Sequence, residues 1–182
     1  SAIAATRGVH HAPANRAWNG PVDTVIRFTD AQRDVMNDLG VNPVRHLRGQ
    51  GFRLFGVRTR YSASDSRKFI PVRRWLNYVE RSFLSSLGTF LMRPANQQLM
   101  SEIRETIRGF LREEWRKGAL FPDNNETKAF SVKCDDETTT AADLAAGRVN
   151  VEIRVSPVTP AEVIVLGLTA EAGGITMVEQ AA

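Results

Sequence analysis

The chain has 182 residues, of which 42% are hydrophobic, so it is long enough to bury one sizeable core. It contains no apolar run of about 18 residues, which excludes a membrane-spanning helix, and its single cysteine, Cys134, excludes an internal disulfide. The net charge of +4 is unevenly spread, because residues 1–122 carry 20 basic and 10 acidic side chains, whereas residues 123–182 carry 4 basic and 10 acidic ones. Such a chain can bind nucleic acid, an acidic protein or another copy of itself, and head-to-tail self-association uses both halves of the asymmetry.

The first third of the chain predicts short elements separated by turns. Residues 1–21 contain glycine and proline at close intervals and are expected to be extended. Residues 22–28 are rich in β-branched side chains, which indicates a short strand. A helix is expected over residues 31–39, ended by Gly40, and a further strand is expected over residues 52–60.

Two long amphipathic helices are predicted in the middle of the chain, where apolar residues recur at three- and four-residue steps. The first helix begins near Pro71, a residue that suits the first helical turn, and its apolar pattern continues to Leu91. The second helix follows Pro94 and ends before Gly118. Because only a short break separates them, we expect the two helices to meet at an angle or as a hairpin.

The last third of the chain changes to a strand-like period. Strands are predicted over residues 129–134, 149–155, 161–169 and 175–178, and a short helix is predicted over residues 140–146. The predicted fold class is therefore α+β, with a small mixed β-sheet packed against two long α-helices and shorter ones, and with extended arms at the termini.

The strand over residues 161–169 has apolar side chains on both faces, with Ile164, Leu166 and Leu168 on one face and Val163 and Val165 on the other. Such a strand requires cover on both sides, which a neighbouring molecule can supply by strand addition. Pairing within its own domain is the alternative, and the sequence pattern leaves both open.

Arg104, Arg108, Arg112 and Arg116 are four residues apart and form one basic stripe on the second long helix. The stripe suits a row of external carboxylates or phosphates. The alternative is a solvated helix face in which the arginines and Lys117 pair with glutamates of the same helix.

No catalytic constellation emerges from the sequence. The glutamates of the second long helix, Glu102, Glu105, Glu113 and Glu114, are expected to be surface charges. The adjacent pair His10-His11 has no third metal ligand nearby in the sequence. We therefore expect no enzymatic activity, no cofactor and no metal. A basic nucleic-acid-binding module is the alternative function, although the aromatic residues fall on helical core positions and not among the basic residues.

Several short motifs occur in a fixed order, at Leu39–Arg45, Gly51–Thr59, Val72–Trp75 and Pro94–Asn96. Together they resemble the conserved C-terminal region of contractile tail sheath proteins, found in contractile-tailed phages, R-type pyocins and related contractile injection systems. The resemblance implies a structural subunit that polymerises helically around an inner tube and contracts to drive the tube through a target envelope. It implies identical sheath subunits, the tube protein, and baseplate and terminator proteins as partners, with no membrane and no nucleic acid.

The resemblance also implies a division of the chain and a set of contact residues. Residues 1–21 would be an extended segment, residues 22–160 the tube-proximal domain, and residues 161–182 an arm that pairs with a neighbouring subunit. The protein would belong to a virion tail or injection particle assembled in the bacterial cytoplasm. Because the chain opens without methionine, we interpret it as a piece of a longer protein. The expected strand-pairing residues are Ile164, Leu166, Leu168, Ile175, Thr176, Met177 and Val178, and the expected tube-facing residues are Arg93, Arg104, Arg108, Arg112 and Arg116.

Overall fold

A computed structural model of the chain describes residues 2–61, 65–162, 164–170 and 175–181. The helices are α1 (Ala2–Arg7), α2 (Asp30–Asp38), α3 (Ile70–Leu87), α4 (Gln97–Arg116), α5 (Glu126–Ala129) and α6 (Ala141–Ala145), with 3-10 turns at Ser66–Lys68 and Gly88–Phe90. The strands are β1 (Val44–Leu47), β2 (Gly51–Leu54), β3 (Phe130–Lys133), β4 (Glu152–Val155), β5 (Ile164–Ala170) and β6 (Ile175–Ala181).

The described strands form three separate two-stranded antiparallel sheets, which pair β1 with β2, β3 with β4 and β5 with β6. This arrangement confirms the α+β class, but it replaces the single mixed sheet that we expected. A parallel pair would need a long crossover connection, whereas each of these pairs joins strands that follow one another in the chain. The strands of the first two sheets are only four residues long.

The two long helices are confirmed and build the core. Trp75 of α3 and Ile107 and Leu111 of α4 are buried in one apolar cluster, which also contains Leu120 and Phe130. Within the cluster, the partly buried apolar side chains of β3 and β4 pack against these helices. The core therefore lies between the α3–α4 pair and the second sheet.

The boundaries of both long helices have local causes. Pro71 occupies the first turn of α3, where its missing N–H would have no helical partner. The Asn96 side chain caps α4 by accepting the backbone N–H of Leu99 at 2.9 Å. Between the helices, a 3-10 turn ends at Phe90, Leu91 is extended and Met92 has a φ of 64°, so the helical path is broken close to the predicted position.

The N-terminal third differs most from the predictions. The expectation of an extended segment is wrong for Ala2–Arg7, which is helical, because the alanine-rich run has high helix propensity. Residues 22–28 form no strand. Val22 and Val25 are fully exposed, and no described strand offers residues 22–28 a pairing edge. The strand expected over residues 52–60 ends at Leu54, before the left-handed Gly56 turns the chain.

The helix predictions in the shorter segments are closer to the structure. α2 ends just before Gly40, whose φ is 73°, and α6 lies within the predicted range of residues 140–146. Strand β1 was not predicted. Among the described residues, no helix is both long and apolar enough to cross a membrane, and no group of histidine, cysteine and acidic side chains could hold a metal ion.

Candidate assembly surfaces

The C-terminal strands β5 and β6 form an antiparallel hairpin that runs from the pair Ile164–Ala181 to the pair Ala170–Ile175. The residues expected to pair with a neighbouring subunit thus pair within the chain, across the two strands: Leu168 pairs with Met177, and the others pair with further residues of the opposite strand. Val163, which we assigned to the second face of this strand, lies outside the described residues.

Internal pairing does not exhaust the hydrogen-bonding capacity of the hairpin. Each strand of a two-stranded sheet has one edge facing its partner and one outer edge with unpaired N–H and C=O groups. No other described strand of this chain pairs with either outer edge of the hairpin. Pairing within the domain and strand addition from a neighbouring molecule are therefore compatible, because a neighbour can add a strand to a hairpin that is already formed.

The basic stripe lies along α4 as predicted, but each of its arginines has a carboxylate partner in the chain. The shortest nitrogen–oxygen distances are 3.7 Å for Arg104–Glu105, 3.6 Å for Arg108–Glu126, 2.8 Å for Arg112–Glu126 and 2.8 Å for Arg116–Glu113. Arg93, in the loop before α4, pairs with Glu102 at 2.7 Å. The stripe is therefore a row of ion pairs and not a row of unpaired cations.

The centre of the stripe is the better organised part. Arg112 donates two hydrogen bonds to Glu126, from Nε to Oε2 at 3.1 Å and from Nη2 to Oε1 at 2.8 Å. The Arg112 guanidinium lowers the pKa of Glu126 below its ordinary value, with a smaller contribution from Arg108. This fork–fork geometry ties the second half of α4 to the start of α5.

The pairs at the two ends of the stripe, and the pair of Arg93 in the preceding loop, are more exposed. Both side chains are more than a third accessible to solvent in the pairs Arg93–Glu102, Arg104–Glu105 and Arg116–Glu113. Such pairs typically contribute only about 0–1 kcal/mol, and salt screens them. Arg93, Arg104 and Arg116 can therefore exchange their own glutamates for the carboxylates of a partner at little cost.

Comparison with known proteins identifies the family of the domain that carries these surfaces. Residues 62–170 match the family model of the phage tail sheath C-terminal domain. The chain belongs to the phage tail sheath family. The resemblance inferred from the order of the motifs is thereby confirmed.

Solved structures of a baseplate and of a sheath complex contain the same fold. A chain of the anti-feeding prophage baseplate superposes with a TM-score of 0.87 at 30% identity, covering 94% of this chain and 48% of that chain. A chain of the PVC sheath complex, an extracellular contractile injection system in its contracted state, superposes with a TM-score of 0.86 at 30% identity, covering 93% and 48%.

A curated relative in Pseudomonas aeruginosa (strain UCBPP-PA14), a prophage major tail sheath protein, is 28% identical over 160 residues. The match covers 85% of this chain and 39% of that protein. This chain thus spans about half the length of the matched chains in the solved structures, and less of the curated relative.

The candidate surfaces are distributed unevenly over the region that matches the sheath family model. All five candidate arginines and strand β5 lie inside residues 62–170, whereas strand β6 follows the end of that region. The first two motifs, Leu39–Arg45 and Gly51–Thr59, precede it.

Glu114 is a structural residue that our sequence reasoning placed wrongly on the surface. Only 4% of it is exposed. Its Oε2 accepts the indole N–H of Trp75 at 3.0 Å, and its Oε1 accepts the Lys117 ammonium at 2.8 Å. The spacing contained the signal, because Glu114 follows Leu111 by three residues and so continues the apolar face of α4.

Proposed function

We propose that this chain is the tube-proximal part of a contractile sheath subunit, which polymerises helically around an inner tube and contracts to drive the tube through a target envelope. The observation that carries the proposal is the superposition on a chain of a contracted sheath complex, which covers 93% of this chain at a TM-score of 0.86. The proposed role is structural and requires no catalytic chemistry or cofactor.

The proposed partners are identical subunits, the inner tube protein, and baseplate and terminator proteins, in a virion tail or injection particle assembled in the host cytoplasm. In this scheme, residues 22–160 form the tube-proximal domain, residues 161–182 form the arm, and residues 1–21 precede the domain. The match to a chain from a baseplate structure of the anti-feeding prophage supports the baseplate contact. No observation favours the nucleic-acid-binding alternative, since the candidate arginines pair with carboxylates of their own chain.

The arm is proposed to link subunits through main-chain hydrogen bonds at an outer edge of the β5–β6 hairpin. The proposed contact segments lie on both strands of this hairpin. Main-chain pairing does not depend on one particular side-chain fit, so such a link can persist while subunits rotate. The residues are Ile164, Leu166, Leu168, Ile175, Thr176, Met177 and Val178.

The tube contact is proposed to use the α4 stripe together with Arg93. Exposed ion pairs exchange readily, which suits a surface that has to release the tube and slide along it. The residues are Arg93, Arg104, Arg108, Arg112 and Arg116, of which Arg93, Arg104 and Arg116 have the most exposed internal ion pairs.

Deletion of residues 173–182 from the full-length protein tests the arm assignment. The variant removes β6, and we expect a folded monomer that no longer polymerises. Circular dichroism and thermal melting report the fold, and electron microscopy reports the assembly. The matched control is Glu179→Gln, which keeps the β6 backbone and should polymerise like the wild type. Normal tubes from the deletion variant would contradict the assignment.

A further inference from the structure

The two motifs that precede the matched family region interlock in space. Gly40 has a φ of 73°, and a Cβ at this position would collide with the carbonyl oxygen of Thr59. Gly56 has a φ of 127°, and its Cβ would come within 2.5 Å of the Asn42 side-chain oxygen. Glycine is required at both positions, because only glycine tolerates these angles and this proximity.

The interlocked motifs hold the backbone of Arg58 from both sides. The Asn42 side-chain amide donates to the Arg58 carbonyl at 2.7 Å, and the Asn42 side-chain oxygen accepts the Arg58 backbone N–H at 3.0 Å. The neighbouring Val57 is buried in a second small apolar cluster with Phe69 and Val72. The backbone position of Arg58 is therefore fixed independently of the contacts that its side chain makes.

Gly40, Asn42 and Gly56 thus form a socket for the Arg58 backbone. The Arg58 side chain extends from this socket to the C-terminal segment. Its Nε donates to Glu162 Oε1 at 3.0 Å, and its Nη2 donates to Glu162 Oε2 at 2.7 Å. Its third nitrogen, Nη1, donates to the Asp38 carboxylate at the end of α2 at 3.0 Å. The fork of Nε and Nη2 alone holds Glu162, whereas Nη1 also donates to the Asn37 carbonyl oxygen at 3.4 Å and so keeps a partner without Asp38.

The side chains of the Arg58–Glu162 pair are mostly covered, although the Glu162 residue as a whole is exposed. The Arg58 side chain is 19% exposed and the Glu162 side chain 22%, whereas both members of every ion pair in the α4 stripe are more exposed than these. Hydrogen bonding to Glu162 raises the pKa of the Arg58 guanidinium above its ordinary value. A covered, bidentate pair is screened less by salt than the exposed pairs of the α4 stripe.

Glu162 occupies the root of the hairpin, two residues before β5 begins at Ile164. Arg58 and Glu162 are 104 residues apart in the chain, so their contact ties the arm to a part of the domain that is distant in sequence. We propose that Arg58 is the positioning residue of the C-terminal arm, and that its fork on Glu162 sets the direction in which the hairpin leaves the domain. The consequence for assembly depends on the proposed sheath function, whereas the positioning itself does not.

The geometry explains why the first two motifs belong together. The socket of Gly40, Asn42 and Gly56 fixes the Arg58 backbone, and the Arg58 side chain transmits that position to the arm. Lysine cannot replace this arginine, because an ammonium lacks the planar fork that holds both carboxylate oxygens.

Spin-label distances in the unassembled full-length protein test the proposal. One label is placed at Lys128→Cys, an exposed position on α5, and the other at Gln180→Cys on β6. Cys134 is buried, and burial raises the pKa of its thiol, so it stays largely unlabelled. The wild type should give one narrow distance distribution, and Glu162→Ala should replace it with a broad one. Arg58→Lys should broaden it as well.

Asp38→Ala is the matched control, because it removes a carboxylate from the same guanidinium without altering the root of the arm. It should retain the narrow distribution. Should Glu162→Ala fail to fold, Glu162→Gln removes the charge while keeping the shape and should broaden the distribution partially. A distribution as narrow as that of the wild type in a folded Glu162→Ala variant would overturn the proposal.

The assembly assay separates this proposal from the proposed function. Glu162→Ala should raise the protein concentration needed for polymerisation, because a freely pointing arm loses its preorganisation. If the arm deletion polymerised normally, the strand-pairing function would fail, whereas the distances in the unassembled protein would still decide whether Arg58 positions the arm.

Discussion

Glu114 connects the two long helices, because its carboxylate oxygens accept the Trp75 indole N–H of α3 and the Lys117 ammonium that follows α4. Burying a carboxylate is costly unless its oxygens are satisfied, and here both are. The indole N–H of Trp75, in turn, has its acceptor inside the core. Breaking this link should therefore affect the free energy of unfolding more than the loss of an exposed ion pair.

Glu114→Ala is expected to lower the free energy of unfolding by about 2–3 kcal/mol, because the Trp75 N–H would remain buried without an acceptor. Urea denaturation of the variant and the wild type measures the difference. The control is Glu113→Ala, which removes an exposed pair with Arg116 and should cost about 1 kcal/mol or less. Equal losses from the two substitutions would contradict the buried role of Glu114.

The Arg112–Glu126 pair should make the free energy of unfolding decrease as the pH is lowered. Hydrogen bonding to Arg112 lowers the pKa of Glu126 in the folded state. The Glu126 carboxylate therefore binds a proton less readily in the folded state than in the unfolded state. The stabilisation is present above the ordinary glutamate pKa and is lost as the pH falls through the lowered value.

Arg112→Ala should therefore lose less stability than the wild type when the pH is lowered from about 6 to about 3. Thermal melts at the two pH values measure this difference. Arg81→Ala, which alters an exposed arginine on α3, is the control and should follow the wild type. A wild-type acid response in Arg112→Ala would show that the pair adds nothing to pH-dependent stability.

At the level of elements, the sequence was sufficient where one periodic pattern decided the structure. α3 and α4 each present a continuous apolar face to one core, so local pattern and tertiary packing favour the same helix. Residues 22–28 show the opposite case, because their β-branched composition indicates a strand that no described neighbour pairs with. Strand formation depends on a partner, which a linear pattern does not contain.

The candidate surfaces were predictable only in outline. The four-residue spacing located the arginine stripe on one helix face, but the carboxylates of Glu126 belong to another element, and only the fold brings them to Arg108 and Arg112. The contact between Arg58 and Glu162 was equally hidden, since it joins residues 104 positions apart. Contacts of this kind depend on tertiary structure and have no local sequence signal.

Charge reversal on α4 tests the tube-facing proposal at the level of one helix. The double variant Arg104→Glu and Arg116→Glu alters one half-buried and one exposed arginine and leaves the Arg112–Glu126 fork intact, so the fold should persist. We expect sheath growth on isolated inner tubes to be lost, as measured by co-sedimentation and electron microscopy. Arg154→Glu, an exposed change on β4, is the control. Undiminished growth by the double variant would mean that the stripe is only a solvated helix face.

On the scale of the whole molecule, two kinds of contact have different roles in the proposed assembly. The hairpin offers main-chain edges that can keep subunits linked, and the exposed ion pairs offer weak contacts that can be exchanged. The unequal charge of residues 1–122 and 123–182 adds a general attraction between copies placed head to tail. Order and spacing of the motifs were enough to indicate the family, although the interlock that explains two of them required the structure.

Electron microscopy of the full-length protein, concentrated at low salt with and without its tube protein, tests the central claim most directly. The sheath assignment predicts striated tubes or stacked rings, either from the protein alone or on the tube template. Discrete small particles under both conditions, together with tight DNA binding that weakens steeply as salt is raised, would contradict it and favour a nucleic-acid-binding module.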